Sequence, residues 1–174
     1  MKNDSPNNTY KWYAAYTDSR AEKKIFQELT KKDIDCYVPL KIEKKQWSDR
    51  IKIVENPLIR GYIFVKVSNH EYYDVLITQG VRRYVCFEGS PTAIPENQIN
   101  DLKQFIQCLN TEVEVTSERI TKGTLVKIVS GPLYGISGEV TDIRGKSSIV
   151  LRFNDLGFCV YADLGTNEVE LVNK

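Results

Sequence analysis

A chain of 174 residues with 41% hydrophobic and 27% charged residues has enough apolar content for packed cores and enough charge for a wetted surface, which excludes a wholly disordered or membrane-embedded chain. The formal charge of +1 conceals a split: residues 1–67 carry 14 Lys and Arg against 9 Asp and Glu, and residues 68–174 carry 10 against 14. The basic excess of the first part can steer toward phosphate, but it is too small for a self-sufficient DNA-binding domain, and a solvated surface explains it equally well.

Residues 1–9 are polar with a proline and are expected to be a disordered tail. From Tyr10 the aromatic run YKWYAAY predicts a buried strand, and Ser19 followed by Glu22 has the spacing of a capping box that starts a helix. Ala21, Ile25, Phe26 and Leu29 would then share the buried face of that helix. A second strand is expected at 34–38, stopped by Pro39. A charged hairpin should follow, with Trp47 and the alternating Ile51 and Ile53 around a Ser48-Asp49-Arg50 turn. Tyr62 to Val67 gives the strongest strand signal in the chain. Residues 72–78 read as a helix, 81–87 as a strand and 95–108 as a helix opened by proline. The order β-α-β-β-α-β-α implies an α/β plait over 10–108.

Residues 109–120 lack helical apolar spacing, carry three glutamates and read as a linker. Beyond them, in 121–174, five β-rich runs near 124–129, 138–143, 147–153, 158–162 and 169–172 are separated by short Gly, Asp and Asn turns, the pattern of a small β-barrel. The fold class expected is therefore α+β, a plait followed by a barrel.

Catalytic chemistry finds no foothold. His70, the only histidine, sits beside Asn69 and Glu71 in a polar loop, not in the buried, carboxylate-oriented setting of a general base, and reads as a surface residue. Gly145-Lys146-Ser147 lacks the earlier glycine of a phosphate loop, because Val140 stands there, and it reads as a hairpin turn. Cys36, Cys86, Cys108 and Cys159 are too far apart in sequence for zinc-ligand or redox-dithiol spacing, so neither a metal nor a cofactor is expected. The N-terminus lacks the apolar core of a secretory signal, and no stretch approaches the roughly 20 apolar residues of a membrane helix, which makes the cytoplasm the expected compartment.

The most informative segment is GTLVKIVSGPLYGISGEV at 123–140. By composition alone, Gly131, Pro132, Gly135 and Gly138 make a tight connection between two strands. The whole string closely resembles the KOW motif of NusG-like and ribosomal proteins. Upstream, WYAAYTDSRAEKK at 12–24, PLIRGYIFV at 57–65 and GVRRYVCFEGSP at 80–91 with Ala93-Ile94-Pro95 resemble, in order, the N-terminal (NGN-type) domain of the NusG family. Arg60 departs from the family, which usually has proline there.

The resemblance implies a non-enzymatic transcription elongation or antitermination factor. Its SH3-like barrel would follow a polymerase-binding domain that docks an apolar patch on the clamp of the largest RNA polymerase subunit. By motif position the patch would include Tyr16, Ile59, Tyr62, Phe64 and Tyr84, although core filling explains Phe64 at least as well. Arg20, Lys23 and Lys24 at the first helix could meet non-template DNA or remain a solvated face, and the same holds for the basic hairpin. For the KOW segment the resemblance implies a ribosomal or termination-factor partner. The N-terminal tail, Arg60 and the basic hairpin look more like a specialised paralogue, RfaH-like or UpxY-type, than like housekeeping NusG. One such paralogue type stores its C-terminal domain as a helical hairpin, but β-branched Val126, Ile128, Val129, Val140, Ile149 and Val150 favour strands here. The rival reading is a ribosome-associated or RNA-binding KOW protein. It is disfavoured because residues 121–174 balance 6 basic against 6 acidic side chains.

Overall fold

The computed structural model describes residues 9–47, 50–109, 113–117, 120, 122–165 and 167–172. In chain order its elements are β1 (Lys11–Thr17), α1 (Glu22–Lys31), β2 (Asp35–Tyr37), β3 (Leu40–Gln46), β4 (Ile51–Pro57), β5 (Tyr62–Val67), α2 (Tyr72–Leu76), β6 (Val81–Tyr84), β7 (Cys86–Phe87), β8 (Ser90–Pro91) and α3 (Glu96–Leu109). There follow β9 (Glu114–Thr116), β10 (Thr124–Ser130), β11 (Ser137–Ile143), β12 (Lys146–Phe153), β13 (Phe158–Asp163) and β14 (Glu168–Leu171). The chain forms two compact units. One takes the chain up to Val38 and again from Ile59 to Ile99; the other takes Pro39–Leu58 and everything from Asn100 onward. The tail expected at 1–9 lies, but for Thr9, outside the described residues, as do Ser48-Asp49 of the hairpin turn and much of the stretch expected as a linker.

In the first unit four antiparallel strands run in the order β2-β5-β1-β6, with β1 paired to β5 from Lys11↔Val67 to Tyr16↔Tyr62. Small Ala14 and Ala15 are buried at the centre of β1, and Ile63, Phe64 and Val65 of β5 are buried beside them. The strand expected over 81–87 is broken. Val85 donates its N–H to the Ala14 carbonyl at 2.8 Å, and Cys86–Phe87 then turns away to pair with Ser90–Pro91.

Two local expectations need correction. No side chain caps α1: Ala21 holds the N-cap position, reached through Arg20 at φ +63°. The Glu22 carboxylate is buried and instead accepts the Gly61 N–H at 2.8 Å, tying α1 to the β4–β5 connection. Phe26 also leaves the buried face. The stripe runs through Glu22, Ile25 and Leu29, and Phe26 sits about 100° further round the helix, 39% exposed. Glu22→Ala, which strands the Gly61 N–H, is expected to cost about 1–3 kcal/mol of unfolding free energy in urea. Glu22→Gln, which keeps a carbonyl acceptor, should recover most of it.

In the second unit β3 and β4 form a separate two-stranded hairpin, and Trp47 extends it by donating its N–H to the Arg50 carbonyl. The β-rich C-terminal part is a six-stranded sheet in the order β14-β10-β11-β12-β13-β9. All five expected strands are present, but among the described residues the sheet is open and the expected barrel does not close. A sixth strand lies at 114–116, within the stretch expected as a linker. Those residues pair with β13 and occupy its free edge, with Val115 opposite Val160 and the Tyr161 hydroxyl donating to Glu114 at 2.5 Å. Residues of β12 and β13 are buried on both faces. Ile149, Leu151, Val160 and Ala162 lie on one face, and Val150, Cys159 and Tyr161 pack on the other against half-buried Ile120 and Ile143.

Candidate functional site

Side chains alternate across a strand, so the register of β1 decides which of the expected interface residues meet. Tyr16 pairs with Tyr62 and Ala14 with Phe64, which puts Tyr16, Tyr62 and Phe64 on one face of the sheet. The Tyr16 and Tyr62 rings lie 4.9 Å apart, and the Tyr62 hydroxyl donates to that of Tyr16 at 3.4 Å. Burial, and then the hydrogen bond with Tyr16, push the Tyr62 phenol well above the usual tyrosine range, so the ring stays neutral at physiological pH. Arg83, opposite Tyr16 on β6, lays its guanidinium 5.3 Å from the Tyr16 ring centroid. Tyr16 and Tyr62 are half-buried, whereas Phe64 is fully buried and Ile59 nearly so.

Tyr84 does not join them. It pairs with Ala15, so it points to the opposite face. There it is buried and stacked on Tyr72 at 4.1 Å, edge-on to Tyr13, with its hydroxyl donating to the Tyr72 carbonyl at 3.1 Å. Arg83, adjacent in sequence, is the residue on the Tyr16 face. Strand parity along Val81–Tyr84 puts Arg83 and Tyr84 on opposite faces, and the register against β1 decides which of them meets Tyr16.

The basic cluster is gathered on the surface. Arg20, Lys23 and Lys24 are all exposed at the start of α1, where the helix presents the positive end of its dipole. Lys24 reaches the Gln79 side chain at 3.4 Å, and nearby Arg82 pairs with Asp18.

In the second unit the Gly-Pro segment forms a tight connection from β10 to β11. Gly131 has φ +92°, and a Cβ there would run into Asn167, whose side-chain oxygen accepts the Leu133 N–H at 3.1 Å. Gly138 is needed for a different reason: a Cβ would lie 2.8 Å from Ile149 Cδ1 and 2.9 Å from the Val150 carbonyl. Gly135 has φ +90° and donates to the Ile128 carbonyl; Pro132 sits between Gly131 and buried Leu133. Tyr134 stands out at the tip, 66% exposed. An ion pair that sequence reading missed lies on the sheet: Arg152 grips Glu139 with Nε to Oε1 at 3.0 Å and Nη2 to Oε2 at 2.8 Å.

His70 is exposed, and Gly145 lies in the turn closing β11 and β12, with Arg144 and Gly145 both at positive φ as a type I′ turn requires. A plait with an aromatic and basic surface, followed by a β-rich unit with a Gly-Pro turn, is the build of a two-part binding protein.

Comparison with known proteins gives the class a family. The family model described as "Transcription termination factor nusG" matches residues 10–103. The chain is 23% identical over 179 residues to the "Transcription termination/antitermination protein NusG" of Rickettsia typhi, covering 95% of this chain and 92% of that protein. It is 25% identical over 116 residues to the "Transcription elongation factor Spt5" of Acidianus ambivalens, covering 60% and 76%. A solved structure of Thermotoga maritima NusG is similar in fold, with a TM-score of 0.50 at 20% identity over 95% of this chain and 98% of that one. The chain belongs to the NusG family, whose members are transcription factors and not enzymes.

Proposed function

We propose that this chain docks on the clamp of the largest RNA polymerase subunit through the Tyr16–Tyr62 pair and suppresses pausing or termination at a specific set of operons. The carrying observation is the pair itself: two half-buried rings with Arg83 beside them make an apolar contact with a polar rim, the composition of a protein interface. Ile59 and Phe64, both buried, would support that surface from within, and Tyr84 would brace the opposite face. Placement among specialised paralogues rests on Arg60, on the basic hairpin and on the divergent N-terminus. The surface of the β-rich unit, with Tyr134 at its tip, would engage a ribosomal or termination factor, and the working compartment would be the cytoplasm. The rival of a ribosome-associated or RNA-binding protein working through the KOW segment is disfavoured by the neutral charge balance of that unit. Immobilised full-length chain should retain purified core polymerase and shorten pauses in a single-round transcription assay. Absence of retention would sink the reading.

Non-template DNA is assigned to Arg20, Lys23 and Lys24. Changing all three to glutamine is expected to leave retention of polymerase nearly unchanged while weakening recruitment to a DNA-bearing elongation complex. The salt dependence should flatten by about 2 in log–log slope, since each lost phosphate contact removes about 0.7 on a single strand. Equal recruitment across a salt series would return the three residues to the solvated face.

A further inference from the structure

We infer that the paired strand ends of the β3–β4 hairpin, 44–47 with 50–53, are a separate binding site for single-stranded nucleic acid, in which a base stacks on Trp47 while Lys45, Arg50 and Lys52 hold the phosphates. The hairpin forms its own two-stranded sheet. Its pairing, Lys45↔Lys52 and Gln46↔Ile51, fixes the faces, and the Trp47–Arg50 backbone bond continues the alternation. Lys45, Trp47, Arg50 and Lys52 therefore share one face, and Lys44, Gln46, Ile51 and Ile53 the other. Every one of these eight side chains is exposed, Trp47 at 54%, Ile51 at 63% and Ile53 at 64%. Over residues 44–53 the sequence holds four cations and one carboxylate, Asp49.

Lysines on a hairpin can serve merely to stop its edges pairing with another chain. That role gives no reason to leave a tryptophan and two isoleucines in water, where they would promote the association the lysines oppose. An exposed indole flanked on its own face by three cations has instead the chemistry of a stacking platform beside an electrostatic track. A duplex keeps its base faces covered, so the fit is to an unpaired strand. DNA and RNA share this chemistry. The site is distinct from Arg20, Lys23 and Lys24, which lie in the other unit, and the inference does not depend on polymerase docking.

The test uses the full chain and follows tryptophan fluorescence and oligonucleotide anisotropy with dT12, rU12 and a 12-base-pair duplex. Trp12 is buried, so quenching by a bound strand reports Trp47. Single strands should quench more strongly and bind more tightly than the duplex, and the stronger of dT12 and rU12 names the source. Trp47→Ala should weaken binding about tenfold and Trp47→Phe by much less. Lys45→Gln with Arg50→Gln and Lys52→Gln should lower the salt slope by about 2. The Arg20, Lys23 and Lys24 triple variant should still quench. Unchanged affinity of a folded Trp47→Ala protein overturns the proposal, as does absence of quenching in the parent chain. Hairpin variants that lose nothing but solubility would assign the lysines to edge protection and overturn it as well.

Discussion

Glu139→Gln is expected to lower the unfolding free energy by about 3 kcal/mol, the scale on which breaking one partner of a buried ion pair destabilises a protein. Both side chains are largely withdrawn from water, at 13% and 14% exposed. Arg152 is held further by bonds from Nη1 to the Ile120 carbonyl at 3.3 Å and to Cys159 Sγ at 3.5 Å, so it cannot swing out to find a new anion without losing those contacts. Glu139 also accepts the Gly123 N–H at 3.2 Å, close to the start of β10. The Arg152 hydrogen bond holds the Glu139 carboxyl below the ordinary glutamate value of 4.5, against the opposing effect of burial. The sign follows: a depressed folded-state pKa gives stability that is complete above about 4.5 and lost as pH falls through the lower folded value. Urea denaturation of the parent should therefore lose stability over that acid window, and the glutamine variant should be flatter there. Replacing both partners together, Glu139→Leu with Arg152→Met, should recover much of the loss, because no charge is left buried without a partner. A single variant as stable as the parent would mean that the pair contributes nothing net.

What the sequence made legible was local. Tyr62 to Val67 reads as a strand because consecutive β-branched and aromatic residues suit a strand buried on both faces, and it forms β5. The Gly131 to Gly138 turn was legible because positive φ and close packing both demand glycine, and the structure shows one demand at Gly131 and the other at Gly138. The hairpin at 40–57 followed from alternation around a polar turn. What stayed hidden depended on distant partners. Glu22 has a capping residue's identity and spacing, yet its partner is Gly61, 39 residues away. Strand parity separates Arg83 from Tyr84, but which of the two joins Tyr16 hangs on the register against β1, a distant pairing. The strand at 114–116 is too short to show a period, and it is recognised only by its pairing with β13 at the edge of the second sheet. The same limit applies to the candidate interface: motif position put Tyr16, Tyr62 and Tyr84 in one patch, whereas the register sets the first two side by side and Tyr84 on the opposite face.

Tyr16→Ala combined with Tyr62→Ala is expected to weaken binding of core RNA polymerase by 30-fold or more, since truncating an interface aromatic at a hot spot costs about 2 kcal/mol or more. The two rings touch each other, so their effects should not add, and each single variant should show most of the loss. Half-buried positions on a sheet face tolerate truncation better than the core does, and circular dichroism of the double variant should match the parent. Phe64→Ala supplies the contrast. That ring is fully buried, and its removal should cost about 3–5 kcal/mol of stability before any binding effect can be read. Tyr16→Phe with Tyr62→Phe separates the parts of the site: it deletes the hydroxyl bond and keeps both rings, with Arg83 still over that of residue 16. If apolar area drives docking, this pair should bind within a few-fold of the parent. If the hydroxyls instead bond the partner directly, it should fall toward the alanine pair. Normal binding by a folded alanine pair would remove Tyr16 and Tyr62 from the interface, and unfolding of that pair would return them to the core.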